Sequence, residues 1–441
     1  MIMTRRAVLL SVPGLRDIDL PAMPNLVAAM AGGERAALTP SFPCVTWPVQ
    51  TNMLTGHLPA AHGVVANGFY WRGPQRVQMW TANNDVILVP QIWDRLHQQQ
   101  PSRSSAAWFP MLSKGSGADY ICMPAPVHNP DGSESLWCYT RPQQLYGELR
   151  DAYGHFPLHH FWGPLANISS TAWIAKTAAH AAQHFHPDFF YIYLPHLDYA
   201  AQRDGPDSIA ARRAVVELDG VIGTLLGDLR AALGADVLLL AASEYVLTPV
   251  DHVLYPNRLL RNAGFLRVQE SEQGELLDLR ASRAWALVDH QFSHVFVRDA
   301  DPRVCRQVSE LFRRETGVSE VLAAQDRAKY HLDHERSGEV ILISTPDSWQ
   351  AYYWWLSDDR APGFARAVDI HRKPGYDPVE LHVCPQTRSI PLDATRVRGS
   401  HGAPAESAAQ QGVLLASQAV LRGRSALRDT DVCQLILARL S

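Results

Sequence analysis

The chain has 441 residues, 46% of them hydrophobic and 19% charged. At roughly 150 residues per domain this means two to three domains, or one large core with an insert, and it excludes a small binding module or a disordered tail. Lysine plus arginine number 40 against 44 acidic residues, a formal net charge of -4, and no basic stripe is present to release counterions from nucleic acid.

Arg5 and Arg6 ahead of Ala7 to Val12 imitate a signal peptide, but the apolar run is short and no small-residue cleavage site follows it. It reads as a first strand buried on both faces and ending at Pro13-Gly14. A helix is expected over Leu26 to Met30, and two more buried strands over Phe189 to Leu194 and Asp236 to Ala242. Between those strands, Val215, Val216, Leu218, Ile222, Leu225, Leu226 and Leu229 recur at helical spacing. The segment Ile209 to Leu233 is therefore a crossover between parallel strands, which implies a doubly wound α/β core. From Val268 to Trp355 short strands (Ala284 to Val288, His294 to Val297, Val340 to Ser344) surround one helix, Pro302 to Thr316, as in a small α+β insert. The aromatic run Tyr352 to Trp355 reads as its core, and Asp369 to Asp377 as a lid. No apolar stretch reaches the ~18 residues that span a bilayer. The six cysteines, Cys44, Cys122, Cys138, Cys305, Cys384 and Cys433, form no CxxC pair, so a reducing, cytoplasmic setting fits best.

Open α/β sheets bind ligands beyond the carboxyl ends of their strands. Polar residues after the apolar runs are therefore the candidates: Thr46, Asp198, Glu244 and His401, which supply a hydroxyl, two carboxylates and an imidazole. Singly, each has a plain reading: Thr46 as a helix cap, Asp198 near Gly205-Pro206 as turn chemistry, His401 before Gly402 as a packed residue, and Glu244 as the cap of a following helix.

Taken in order, the motifs resemble the nucleotide pyrophosphatase/phosphodiesterase branch of the alkaline phosphatase superfamily. Val12-Pro13-Gly14-Leu15-Arg16 resembles its first-strand motif, and Thr39 to Gly56 its nucleophile helix. His62 to Asn67 resembles the segment bearing an oxyanion-binding Asn, and Leu194 to Asp198 with Gly205-Pro206-Asp207 the stretch carrying a metal-binding Asp. Ser243 to Val250 is similar to the second-metal loop, and Gly399 to Gly402 to the last His ligand. The resemblance implies an alkaline-phosphatase-like, mostly parallel sheet split by a cap, with core segments 1–262 and 366–441 and a cap over 263–365. It implies Thr46 as nucleophile and Asn67 as its oxyanion partner.

The sequence departs from that pattern at Pro13, where the family places a metal-binding Asp, and at Gln202, where it places a His. Its Asp-His pair is Glu244-Tyr245 here. Proline has no side-chain donor and a phenol binds metal only after losing its proton. The expectation is one divalent ion (Zn, Mn or Mg) on Asp198, Glu244 and His401, helped by Gln202 or the Thr46 oxygen, with a second ion left open. His290, His371 and Asp377 are candidate replacement ligands, Tyr245 is a strand-end packing residue or an auxiliary one, and Arg372 and Lys373 are candidates for a substrate phosphate or carboxylate. The expected activity is a metal-dependent phosphodiesterase or phosphatase-type hydrolysis of a small phosphorylated metabolite through phosphothreonine. Two alternatives are a catalytically silent relative that binds a ligand or partner, and an enzyme acting on a carboxylate or sugar-derived metabolite.

Overall fold

The computed structural model describes residues 5–128 and 134–441, so Met1 to Thr4 of the expected first segment lie outside it. A nine-stranded sheet runs through the molecule in the order Ala426–Arg428, Glu34–Thr39, Gly412–Ala416, Leu238–Ser243, Ala7–Val12, Phe189–Tyr193, Ser105–Trp108, Tyr120–Pro124 and Cys138–Arg141. Gly412–Ala416 runs antiparallel to both its neighbours and Cys138–Arg141 antiparallel to its single one, while the remaining pairings are parallel. The mostly parallel α/β sheet is therefore as the apolar runs imply. Every residue of Ala7–Val12 is buried, as expected of a strand covered by helices on both faces.

The crossover helix spans Ile209–Leu233, with the Ser208 hydroxyl accepting from the Ala211 amide at its start and Gly234 at its end. Leu218, Ile222, Leu225 and Leu229 face the core while Ile209 and Val216 are exposed, so the 3.6-residue period decides which face packs. The same helix carries a buried carboxylate, Asp219, which accepts from the backbone amides of Asn25 and Leu26. It thereby satisfies two free donors at the start of the Pro24–Ala29 helix. Among the described residues, no helix is long and apolar enough to cross a membrane.

The parallel strands end together: Ser243 is in register with Val12, and Tyr193 with Ser11. Pro13, Glu244 and the His196–Asp204 helix consequently emerge side by side on one edge. Above that edge lies a four-stranded antiparallel sheet in the order Ala284–Asp289, Phe292–Val297, Val340–Ser344 and Val318–Ala323. The Pro302–Phe312 helix buries Val304, Val308 and Phe312 in the same core. That core also takes in Tyr352 to Trp355, Tyr70 and Met79, and residues from Val250 to Val397. Its first hairpin closes in two residues, His290-Gln291, with His290 in the left-handed region at φ 58°. The tip docks on the main sheet's edge, since the Gln291 amide donates to the His401 carbonyl at 3.0 Å.

Candidate active site

Thr46 is the first residue of the Thr46–Thr55 helix, reached from the Glu34–Thr39 strand through a loop with a cis Phe42-Pro43 bond. A helix start leaves backbone amides unpaired and carries partial positive charge, which favours an anion there. Asn67 ties down this start, its Oδ1 accepting from the Trp47 amide at 3.0 Å. The Asn67 amide nitrogen donates to Asp289 at 3.1 Å, and its backbone N–H donates to the same carboxylate at 2.8 Å. Asn67 is thus first a positioning residue, and any oxyanion contact falls to the second N–H of its side chain.

The Thr46 hydroxyl lies 3.1 Å from the Tyr245 hydroxyl. Tyr245 begins a column of four rings: it stacks on His401 at 3.6 Å and 7°, His401 on His290 at 3.9 Å and 42°, and His290 on Tyr376 at 3.6 Å. Tyr376 donates to Gln202 Oε1 at 2.7 Å, and Gln202 sits one helical turn after Asp198, on the same face. His401 Nδ1 is 2.8 Å from the Cys44 carbonyl, which can only accept, so Nδ1 carries the proton and Nε2 the lone pair. His290 Nδ1 lies 2.6 Å from Asp289 Oδ1, which fixes the same tautomer. Burial keeps both imidazoles neutral by pushing their pKa values well below normal.

The carboxylates are also shifted by burial. Desolvation pushes Asp198 up to about 7 against the opposing influence of the neighbouring Gln202 and Tyr245, and Asp289 up to about 6 against hydrogen bonds from Asn67. Glu244 accepts from Ser11 Oγ at 2.7 Å and Gln50 Nε2 at 2.8 Å, yet desolvation still lifts it to about 8. Four polar atoms of this cluster have no hydrogen-bond partner within the protein: Asp198 Oδ1, Gln202 Nε2, Glu244 Oε2 and His401 Nε2. Buried polar groups are normally paired, so such a concentration marks a place completed by something other than the chain.

Thr46, Asp198, Gln202, Tyr245, His290 and His401 are therefore brought together by ring and polar contacts, with Glu244 beside Asp198 but bonded instead to Ser11 and Gln50. The segment Asp369 to Asp377 divides. Tyr376, which the sequence did not single out, reaches the cluster, but His371 is exposed with Nδ1 on the Met79 carbonyl at 3.3 Å. Arg372 is exposed and paired with Asp369. Lys373 is buried with its ammonium 2.8 Å from Asp377 and bonded also to Glu380. His371 and Asp377 therefore do not replace lost ligands, and Arg372 and Lys373 are not free to read a substrate anion, because each is spent on a pairing nearer in the chain. Asp289 was missed because an acid inside an apolar strand looks like a solvent-facing residue until the hairpin brings it to Asn67.

The expected cation does not fit this donor set. Among the described residues, no three His, Cys, Asp or Glu side chains are arranged to hold a metal ion. Asp198 Oδ1 and His401 Nε2 approach to 4.0 Å, but Glu244, whose Oε1 accepts from Ser11 and Gln50, does not converge with them as a third ligand. A zinc ion lies in the plane of each ligating imidazole about 2 Å from nitrogen, so two ligating rings have centres about 5 Å apart. The centres of His290 and His401 are 3.9 Å apart, with the ring planes tilted by 42°. The Tyr245 phenol, its pKa held well above normal by burial, stays protonated between Thr46 and Asp198.

Comparison with known proteins bears on the same edge. Residues 7–377 match the sequence pattern described as type I phosphodiesterase / nucleotide pyrophosphatase. The chain belongs to that family. No curated protein matches it closely enough to report. Among solved structures, phosphonoacetate hydrolase from Sinorhizobium meliloti 1021 in complex with phosphonoacetate is 16% identical with a TM-score of 0.65, covering 100% of this chain and 97% of its own. Murine ectonucleotide pyrophosphatase / phosphodiesterase 5 is 15% identical with a TM-score of 0.62, covering 99% and 95%. At that identity the likeness establishes the fold, an alkaline-phosphatase-like one.

Glu244 gives this family member a pH signature. A carboxyl whose folded pKa is raised contributes stability that is complete below its unfolded value, near 4.5, and is lost as pH rises towards the folded value, here about 8. The buried histidines act oppositely and only at lower pH, destabilising the fold as pH falls below about 6.5. Glu244→Gln keeps the acceptor for Ser11 and Gln50 and removes the ionisation. Urea denaturation is expected to show the variant gaining on the wild type by on the order of 1–3 kcal/mol between pH 5 and pH 8. A difference that stays constant over that range would contradict the assignment.

Proposed function

We propose that the chain hydrolyses a small phosphoric or phosphonic ester through a covalent intermediate on Thr46. The observation that carries this reading is a hydroxyl at a helix start, 3.1 Å from a second hydroxyl and in the same buried cluster as polar atoms that the protein leaves unpaired. In-line attack by Thr46 Oγ would place developing charge on phosphoryl oxygens at the amides of the helix start, where it is stabilised. Asn67 would hold that start in position. Nucleotide esters, after the name of one neighbour, are the substrate class to try first. Phosphonoacetate, after the name of the other, joins phosphorus to carbon, so its turnover on Thr46 would break the phosphorus–carbon bond with the departing carbon taking a proton.

A second reading, the silent relative, is favoured by a specific feature. Thr46 is only 5% exposed, and the cavity beside Tyr245 and His401 measures about 10 Å³, room for roughly one water molecule. A hydrolase must therefore lift its cap, the unit read as 263–365, away from His401. Incubation of the purified protein with bis-p-nitrophenyl phosphate, p-nitrophenyl phosphate and phosphonoacetate separates the readings. Time-dependent product from any of them is expected, and no turnover of any would favour the silent relative.

A further inference from the structure

We infer that Tyr245 stands where a cation would otherwise act on Thr46, and that this site performs its chemistry without a bound divalent ion. The inference rests on the hydrolase reading above and deepens it.

A metal beside a nucleophilic hydroxyl does two things: it draws off the hydroxyl proton's charge and it holds the oxygen in place. Tyr245 is placed for both. Its hydroxyl is 3.1 Å from Thr46 Oγ, and its ring is clamped flat on His401 at 3.6 Å and 7°, so the contact is held by packing and not by a mobile side chain. His401 is itself fixed from the other side by the Cys44 carbonyl and by the His290 ring. The Asp198 carboxylate neighbours the phenol in the same buried cluster, so the path we infer runs from Thr46 Oγ through Tyr245 Oη towards Asp198.

The other positions agree. Pro13, at the end of the Ala7–Val12 strand, offers no donor atom, and the Gln202 oxygen is taken by the Tyr376 hydroxyl at 2.7 Å. Glu244 turns one oxygen, Oε1, to Ser11 and Gln50. Pro13 thus offers no donor, and the Gln202 and Glu244 side chains each have one oxygen taken by a protein partner.

In the first half-reaction the bond from Thr46 Oγ to phosphorus forms as the bond from phosphorus to the leaving oxygen breaks. The Thr46 proton passes to Tyr245 as the phenolic proton passes to Asp198, leaving the phenol neutral, and the leaving oxygen takes a proton from solvent. In the second half, water adds to phosphorus, Thr46 Oγ departs and recovers its proton along the same path, and the water's surplus proton goes to solvent.

The test joins metal binding to turnover in the full-length protein. Calorimetric titration with zinc and with manganese is expected to show no stoichiometric uptake, and turnover to survive exhaustive chelation. Tyr245→Phe keeps the stacked ring and is expected to lower kcat roughly 100-fold or more with little change in KM, the scale of a lost proton-transfer group. Uptake of one equivalent of either ion at micromolar affinity, or loss of turnover on chelation, would overturn the inference while leaving Thr46 chemistry intact. Wild-type turnover in Tyr245→Phe would overturn it as well. If the variant misfolds, the titration of the wild type still decides, and a protein that turns over no ester under any condition fails the hydrolase reading instead.

Discussion

Alanine at position 46 is expected to lower kcat by roughly 1000-fold or more while leaving the thermal midpoint within a few degrees of the wild type. The two halves of this expectation come from different facts. The side chain of Thr46 makes one hydrogen bond, to Tyr245, so its removal costs the fold about 1–3 kcal/mol. Without Oγ there is no atom to attack phosphorus, and the helix start and Asn67 can offer only electrostatic stabilisation to water. Serine in its place keeps the nucleophile and is expected to retain a substantial part of the activity. Steady-state product release from the three proteins, with circular dichroism melting curves, measures both quantities. An alanine variant active within tenfold of the wild type would show that Thr46 is a helix start and nothing more.

Replacing Lys373 by methionine is expected to destabilise the protein by about 3–5 kcal/mol. The ammonium is 1% exposed, lies 2.8 Å from Asp377 and bonds Glu380, so removing it strands two buried carboxylates. Glu380 is held further by the Trp162 indole at 2.6 Å and the Asp369 amide at 2.9 Å, which leaves it unable to turn out to water. Between Lys373 and Glu380 in the chain lies Tyr376, which stacks on His290 and reaches Gln202. The loss should therefore be felt at the site as well as in the melting curve. Adding Glu380→Gln to Lys373→Met removes one stranded charge and is expected to return part of the loss. Equilibrium urea unfolding reads both, and a single-variant loss below about 1 kcal/mol would contradict a buried, charged network.

The sequence spoke most clearly where a single physical demand shaped a continuous run. The Ile209–Leu233 helix and the Ala7–Val12 strand were legible to the residue, because one must keep a 3.6-residue apolar stripe and the other must be apolar throughout. Ser105–Trp108 and Glu34–Thr39 were not. Each is short and alanine-rich, and takes its strand character from neighbours far away in the chain.

The site was legible in the same uneven way. Thr46, Asp198, Glu244 and His401 follow from strand ends and motif order, and the cap residue His290 reaches them. What the sequence could not show is pairing. Nothing in the order of residues says that Asp289 will hold Asn67, that Lys373 will be consumed by Asp377 and Glu380, or that Tyr245 will lie flat on His401. The first of these depends on a two-residue hairpin closing over the sheet edge.

The central claim, that Thr46 carries the reacting group, is tested most directly by intact-mass spectrometry of protein quenched in acid during turnover of bis-p-nitrophenyl phosphate. The account predicts a fraction of the wild type heavier by one nitrophenyl phosphoryl group, mapped by peptide fragmentation to Thr46 and absent from Thr46→Ala. Steady turnover with the adduct on another residue, or unchanged in Thr46→Ala, would contradict it.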